Sequence, residues 1–217
     1  MKAVRWIGLA LTLVLTQTVM ATTDVLYITS GDSEDIQAIQ GNSIIEENLN
    51  LPTTSGTPRF YPIAVRDSIW VMSYLTGEPG RLELDSTLTL TGASGTVTFL
   101  PNSPEVLDGG TDGNSNFTIQ DNNGDVYRYN TDWSGTPVYM FTSACDSFCP
   151  GITYDPVNDS IWIADMNNIH EYSMTGTLRN SFPHDDDRAG ALAYEGSTDT
   201  LWLVDNETNN TLRQYSK

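Results

Sequence analysis

The chain has 217 residues and carries 28 acidic against 10 basic side chains, a formal net charge of −18 at pH 7. Such a charge repels phosphate backbones and anionic lipid, which argues against nucleic acid and acidic membrane surfaces as partners. The two histidines, His170 and His184, lie away from the two cysteines in sequence, which argues against a zinc site built from both residue types.

Residues 1–21 are predicted to be a signal peptide. A basic start at residues 1–5 precedes an apolar run over 6–15, and Val19-Met20-Ala21 forms a cleavage site of the small-residue type. The apolar run is too short for a typical membrane span, although a retained signal anchor is the alternative. We therefore expect a mature domain at 22–217 that is secreted or periplasmic, without stable membrane insertion after cleavage.

The mature chain contains a repeat marked by aromatic residues that are 40 to 47 positions apart. Each aromatic sits in a short run rich in β-branched and aromatic residues, which is typical of strands. A repeat of this length fits one four-stranded blade of a β-propeller. We predict an all-β propeller of about four to five four-stranded antiparallel blades, with the aromatic anchors packed between blades. The anchors are Tyr27, Trp70, Phe117, Trp162 and Trp202.

The order of strands within a blade is clearest in the fourth block. Ile152–Tyr154 is predicted to be innermost, the strand of Trp162 second, Ile169–Tyr172 third and Leu178–Phe182 fourth. By this register the first block begins at its second strand and the last block stops after its third. We expect an open arc of about four and a half blades, a piece of a larger propeller, without a full ladder between residues 24–30 and 190–217. The alternative is a closed five-bladed ring.

Acidic and amide side chains recur at one position of the repeat, the loop from the second to the third strand. In an up-and-down blade this loop shares a face with the connection to the next blade, so these side chains are expected to crowd one rim. Oxygen ligands of this kind suit calcium, which is a possible cofactor. The alternative is that Asp and Asn are simply good turn residues. The second-to-third loops are 31–35, 121–125, 165–168 and 205–209.

Three adjacent carboxylates in the connection at 184–188 exceed what a turn requires, and they are the strongest candidates for binding a cation or a ligand. If a metal is bound, Asp185, Asp186 and Asp187 are the residues expected to hold it. The candidate binding residues are Asp185, Asp186, Asp187, His184, Asp165, Asp205 and Asp121.

The only two cysteines, Cys145 and Cys149, are four positions apart. In an exported protein such a pair is expected to form a disulfide. A redox role would favour a Cys-x-x-Cys sequence at a helix start, which this segment lacks.

The segment Pro150–Pro156 followed by Ser160–Asp165 resembles the NHL and YncE-like repeat propellers, and more loosely the gluconolactonase-like (SMP-30) propellers. The first resemblance implies a propeller fold and a secreted or periplasmic binding platform. The looser one implies a divalent metal in the central channel, although no metal ligand can be placed on this chain.

The sequence contains none of the nucleophile-elbow, metalloprotease, phosphate-loop or dinucleotide-binding motifs. We therefore expect a non-enzymatic scaffold that binds a protein or a small-molecule ligand through its acidic, Asn- and Asp-rich loop face. The alternative hypothesis is a calcium-dependent lactonase-like or lyase-like hydrolytic propeller.

Overall fold

The computed structural model describes residues 24–30, 35–41, 43–48, 51, 60–73, 80–98, 100, 106–120, 122–145, 148–185, 189–205 and 211–217. Within these ranges the chain forms 18 β-strands and no helix. The strands make five antiparallel sheets arranged as a five-bladed β-propeller. A search of the same residues finds no helix long and apolar enough to span a membrane.

Each sheet is an up-and-down meander in which every strand pairs with the next one along the chain. The first sheet holds β1 (Leu26–Ser30), β2 (Asp35–Gln40) and β3 (Ser43–Asn48). The second holds β4 (Phe60–Val65), β5 (Ile69–Ser73), β6 (Gly80–Leu84) and β7 (Leu90–Thr96). The third holds β8 (Val106–Thr111), β9 (Asn116–Gln120), β10 (Asp125–Tyr129) and β11 (Val138–Thr142). The fourth holds β12 (Gly151–Asp155), β13 (Ser160–Ala164), β14 (Asn168–Ser173) and β15 (Leu178–Pro183). The fifth holds β16 (Ala189–Glu195), β17 (Thr200–Asp205) and β18 (Leu212–Ser216).

The first strand of each blade lies innermost. Strand β4 contacts β8, β8 contacts β12, and β12 contacts β16, so these strands follow one another around the centre. Their backbones approach closely where a side chain is missing: a Cβ added to Gly151 would lie 2.8 Å from the Cβ of Leu192. Glycine at this position therefore allows the fourth and fifth blades to meet.

Apolar side chains fill the spaces between blades. Phe117 of the third blade packs in one buried cluster with Ile152 and Ile161 of the fourth. Trp162 of the fourth blade packs likewise with Leu192 of the fifth. These contacts bury large aromatic surfaces, which dominate the energy of such a core.

The first blade differs from its sequence-based assignment. Tyr27 was predicted to lie on a second strand, but its strand β1 stands at the end of its sheet and pairs with β2 alone among the described strands. The other four anchors do occupy second strands, namely β5, β9, β13 and β17. Innermost and second strands are both short apolar runs, so an aromatic residue by itself could not distinguish them. The predicted second-to-third loop at 31–35 therefore follows a first strand and precedes a second one, and residues 31–34 lie outside the described residues.

The first and fifth blades meet through a side chain. The backbone N–H of Ser197 donates to Oδ2 of Asp24 at 3.0 Å. In the described residues, strands β1 and β16 to β18 belong to separate sheets, and no ladder joins them. The five blades agree with the predicted four to five, and the first and fifth blades each have three strands among the described residues.

In the second, third and fourth blades, the turn between the third and fourth strands places one residue in the left-handed region at the same position. This residue is Leu88 (φ 56°) in the second blade, Trp133 (φ 60°) in the third and Gly176 (φ 84°) in the fourth. Leu88 and Trp133 are buried against a neighbouring blade. At Gly176 the corresponding space is filled by Phe141, whose Cβ would lie 2.4 Å from an added Cβ. The turns therefore plug the gaps between blades.

Candidate functional site

Two connections between blades lie directly on second-to-third turns. The N–H of Ser143, after β11, donates to the carbonyl of Gly124 at 2.8 Å, and the N–H of His184, after β15, donates to the carbonyl of Asn167 at 3.0 Å. These bonds bring the turns 122–125 and 165–168 together with the described parts of two connections, 143–145 with 148–150 and 184–185, on one side of the propeller. We call this surface the loop face.

The first of these connections contains a disulfide between Cys145 and Cys149, whose Cα atoms are 5.9 Å apart. Both cysteines are buried and pack in the apolar cluster that includes Phe117 and Ile152. The predicted disulfide is thereby confirmed. It closes a short loop that leads directly into β12.

Asp165, His170 and His184 form a hydrogen-bonded cluster at the base of the second connection. Oδ1 of Asp165 accepts from the backbone N–H groups of Asn167 and Asn168 at 2.8 and 2.7 Å. Oδ2 lies 2.8 Å from Nε2 of His170, and Nε2 of His184 donates to the Asp165 carbonyl at 2.9 Å. Burial alone would raise the pKa of Asp165, but the bonds from His170 and the backbone hold it below its usual value. The cluster fixes the loop rather than exposing a base.

The side chain of Asp185 is 86% exposed, 3.7 Å from Nη1 of Arg213 and 3.3 Å from the hydroxyl of Tyr215. Within the described ranges, no group of three or more His, Cys, Asp or Glu side chains has the geometry to hold a metal ion. The proposed calcium site therefore has no counterpart among these residues. Asp121, Asp186 and Asp187 lie outside the described residues, and of Asp205 only the backbone, at the end of β17, is described.

A buried carboxylate in the central channel was not anticipated from the sequence. Asp108 lies on the innermost strand β8, where the pairing with β9 is irregular between Val106 and Gly109. Its Oδ2 accepts the backbone N–H groups of Ile152 and Leu192, each at 2.9 Å, and its Oδ1 accepts that of Gly109 at 2.8 Å. Burial raises the pKa of Asp108 to about 7, against the opposing effect of the three N–H donors. The sequence feature that could have indicated this role is an acidic residue within a short, otherwise apolar inner strand.

Two buried carboxylates on the opposite face accept hydrogen bonds from internal donors. Asp155 accepts from the indole Nε1 of Trp162 at 3.3 Å and from Nζ of Lys217 at 2.7 Å. Glu195, at the same position of the next blade, accepts from the indole Nε1 of Trp202 at 2.8 Å. Both carboxylates are fully buried, and they tie the anchor tryptophans to the ends of the inner strands.

No protein-family model matches the sequence, and no curated protein is significantly similar to it. Among solved structures, a chain of the nidogen/laminin complex aligns with a TM-score of 0.61 and 16% identity, over 83% of this chain and 69% of that one. Glutaminyl cyclase of Myxococcus xanthus aligns with a TM-score of 0.62 and 8% identity, over 89% and 87%. Virginiamycin B lyase of Staphylococcus aureus aligns with a TM-score of 0.51 and 19% identity, over 91% and 68%. At such low identity these likenesses establish the β-propeller fold and no activity.

Proposed function

We propose that the protein is an exported, non-enzymatic β-propeller scaffold, of the NHL or YncE-like type, that binds a cationic small molecule or a basic protein segment through its loop face. The observation that supports this proposal is that two inter-blade connections are hydrogen-bonded to second-to-third turns. The bonds from Ser143 to Gly124 and from His184 to Asn167 hold the loops in place before any ligand arrives. A preordered surface loses less conformational entropy on binding.

The charge of the chain supports a cationic partner. The formal net charge is −18, and the described carboxylate of the acidic connection, Asp185, points into solvent. It precedes Asp186 and Asp187 in sequence. A cluster of like charges at a surface raises the local concentration and the association rate of an oppositely charged ligand.

The titratable groups of the described face are engaged with one another, which favours binding over catalysis. His170 is bonded to Asp165, and the ring of His184 is bonded to a backbone carbonyl. Nδ1 of His170 has no partner among the described residues but is buried, whereas a general base must lie within reach of a substrate proton.

The binding proposal is tested with the variant carrying Asp185→Asn, Asp186→Asn and Asp187→Asn. A matched control carries Glu46→Gln, Glu47→Gln and Asp67→Asn, which removes the same charge from exposed positions on β3 and on the β4–β5 turn. The affinity of the mature protein for an oligolysine peptide is measured by calorimetry at low ionic strength. Exposed charge pairs contribute up to about 1 kcal/mol each, so we expect the face variant to lose about tenfold or more in affinity and the control to lose little. Equal losses in both variants would show that only net charge matters and would reject the loop face.

A second candidate, a calcium-dependent lactonase-like or lyase-like enzyme, draws on the position of Asp108 in the central channel. Its pKa of about 7 would suit a group that exchanges protons near neutral pH. Lactone hydrolysis is assayed with and without a chelator. Turnover that is lost on chelation and in an Asp108→Asn variant would favour the enzyme over the scaffold.

A further inference from the structure

Asp108 joins the innermost strands of three blades just beneath the loop face. Its two partners on other blades are Ile152, the second residue of β12, and Leu192 in β16. Strand β12 follows the disulfide-containing connection, and β16 follows the connection that carries the acidic triplet. A single carboxylate therefore fixes the two strands into which both connections of the loop face lead.

The bonds to Asp108 satisfy donors that the sheets leave unpaired. The inner strands β12 and β16 stand at the ends of their sheets, so some of their N–H groups face the channel instead of a neighbouring strand. A buried N–H without an acceptor is costly, and Asp108 supplies the acceptor for two of them. An ionised carboxylate in this position carries a desolvation cost of its own. Protonation on Oδ1 removes this charge while Oδ2 still accepts both bonds, although it weakens the bond that Oδ1 accepts from the N–H of Gly109.

We propose that Asp108 is a proton-operated pin: in its protonated form it holds β8, β12 and β16 together, and its ionisation favours a loosened, hydrated arrangement of these strands. This regulation rests on the proposed function, because the pinned strands carry the connections of the loop face. Loosening them would alter the positions of the acidic side chains and thereby the affinity for a cationic ligand.

The direction of the pH dependence follows from the two states. The pKa of Asp108 is about 7 in the pinned state because of burial. A hydrated aspartic acid has an ordinary pKa of about 4. The pinned state therefore binds the proton more tightly, and its stability relative to the loosened state falls as the pH rises from about 4 to about 7.

The other titratable groups on the packed strands are bonded elsewhere. On β12, Tyr154 donates to Asp159, and Asp155 accepts from Trp162. On β16, Tyr194 donates to Asp199, and Glu195 accepts from Trp202. Strand β9 has no titratable side chain, and neither do the described side chains of β4. Of these groups, Asp108 is the one whose side chain accepts backbone N–H groups of both β12 and β16.

The first test uses the unaltered mature protein. The carboxyl carbon of Asp108 and the amides of Ile152 and Leu192 are followed by NMR as the pH is varied. We expect all three to titrate with one midpoint near pH 7. The hydrogen-exchange protection of the two amides, corrected for the intrinsic rate, should fall by up to about tenfold per pH unit between about pH 4 and 7. A midpoint near 4, or amides that do not follow the carboxyl, would overturn the pin.

The second test compares Asp108→Asn with Asp112→Asn, which alters a half-buried turn carboxylate that follows the same strand. We expect protection in Asp108→Asn to lose its dependence on pH and that in Asp112→Asn to keep it; the same dependence in both variants would overturn the pin. Binding of oligolysine at about pH 5 and about pH 8 then separates the two proposals. Titration of Asp108 without any oligolysine binding upholds the pin and rejects the binding function. If oligolysine binds but the protection of the two amides does not depend on pH, the pin is rejected and the binding function is upheld.

Discussion

At the scale of single residues, the anchor of a blade is coupled to the residue that ends its innermost strand. Trp162 donates its indole N–H to Asp155, and Trp202 donates to Glu195. In the third blade the anchor is Phe117, which has no such donor, and the inner strand β8 ends at Thr111. A tryptophan is thus paired with a buried acceptor in two successive blades, because its N–H requires a partner when it is buried.

Replacing Trp202 by Phe is expected to destabilise the protein. The indole N–H bond to Oε2 of Glu195 is 2.8 Å long, and the acceptor is a fully buried carboxylate. We expect the free energy of unfolding to fall by about 1–3 kcal/mol, as is typical for a lost bond to a charged group. Urea unfolding measures the change. In a Glu195→Gln background the same replacement should cost less, and an equal cost would show that packing alone is responsible.

The residues that hold the blades together differ in how well the sequence predicts them. The anchors repeat at a regular spacing and were found by it, except that Tyr27 was assigned to the wrong strand. Asp108 has partners that are 44 and 84 positions away, and its role depends on the irregular pairing of β8. No periodicity in the sequence reports such a contact.

At the scale of elements, the turns between third and fourth strands determine how neighbouring blades fit. Gly176 combines a φ of 84° with an added Cβ that would lie 2.4 Å from the Cβ of Phe141. Gly113 has a similar φ of 83°, but nothing lies within 4 Å of its added Cβ. Comparing replacements at Gly176 and Gly113 therefore separates the effect of backbone strain from that of a steric clash between blades.

We therefore expect Gly176→Ala to be the more destabilising of the two replacements. The backbone cost of alanine at positive φ is about 1 kcal/mol at either site. Overpacking against Phe141 should add about 1–3 kcal/mol at Gly176 alone. The measurement is the difference in unfolding free energy between the two variants in urea. Equal values would mean that the turn does not act as a plug.

The disulfide in the connection after β11 is expected to contribute modestly to stability. For so short a loop the chain-entropy model gives about 2 kcal/mol. Replacing both Cys145 and Cys149 by Ser should lower the free energy of unfolding by about this amount. The intact mass of the protein should rise by two hydrogens on reduction, and stoichiometric thiol labelling of the unreduced protein would contradict the crosslink.

The order of strands in the later blades could be predicted because each block repeats the same apolar runs and turns. In the second blade the apolar run Leu88–Leu90 predicts the fourth strand, whereas β7 spans Leu90–Thr96. Residue Leu88 is instead the buried plug of the turn. A buried leucine in a turn resembles a strand residue in sequence, so the plugs could not be recognised before the blades were packed together.

At the scale of the whole molecule, two opposing sets of carboxylates determine how stability varies with pH. Hydrogen bonds or ion pairs lower the pKa of Asp132, Asp155 and Asp165 in spite of burial, so their contribution is lost as the pH falls below about 4. Burial raises the pKa of Asp108 to about 7, so its contribution is lost as the pH rises from about 4 to 7. We predict maximal stability between about pH 4 and 5, measured as the urea midpoint across pH. The Asp108→Asn variant should lose the decline above that range.

The central claim is that ligands are bound by the loop face and not by the opposite face. Hydrogen-exchange footprinting of the mature protein with and without bound oligolysine tests this most directly. The account predicts new protection in the segments 122–125, 143–145, 148–150, 165–168 and 184–185. Protection confined to the turns 66–68, 112–115, 156–159 and 196–199 of the other face would contradict it.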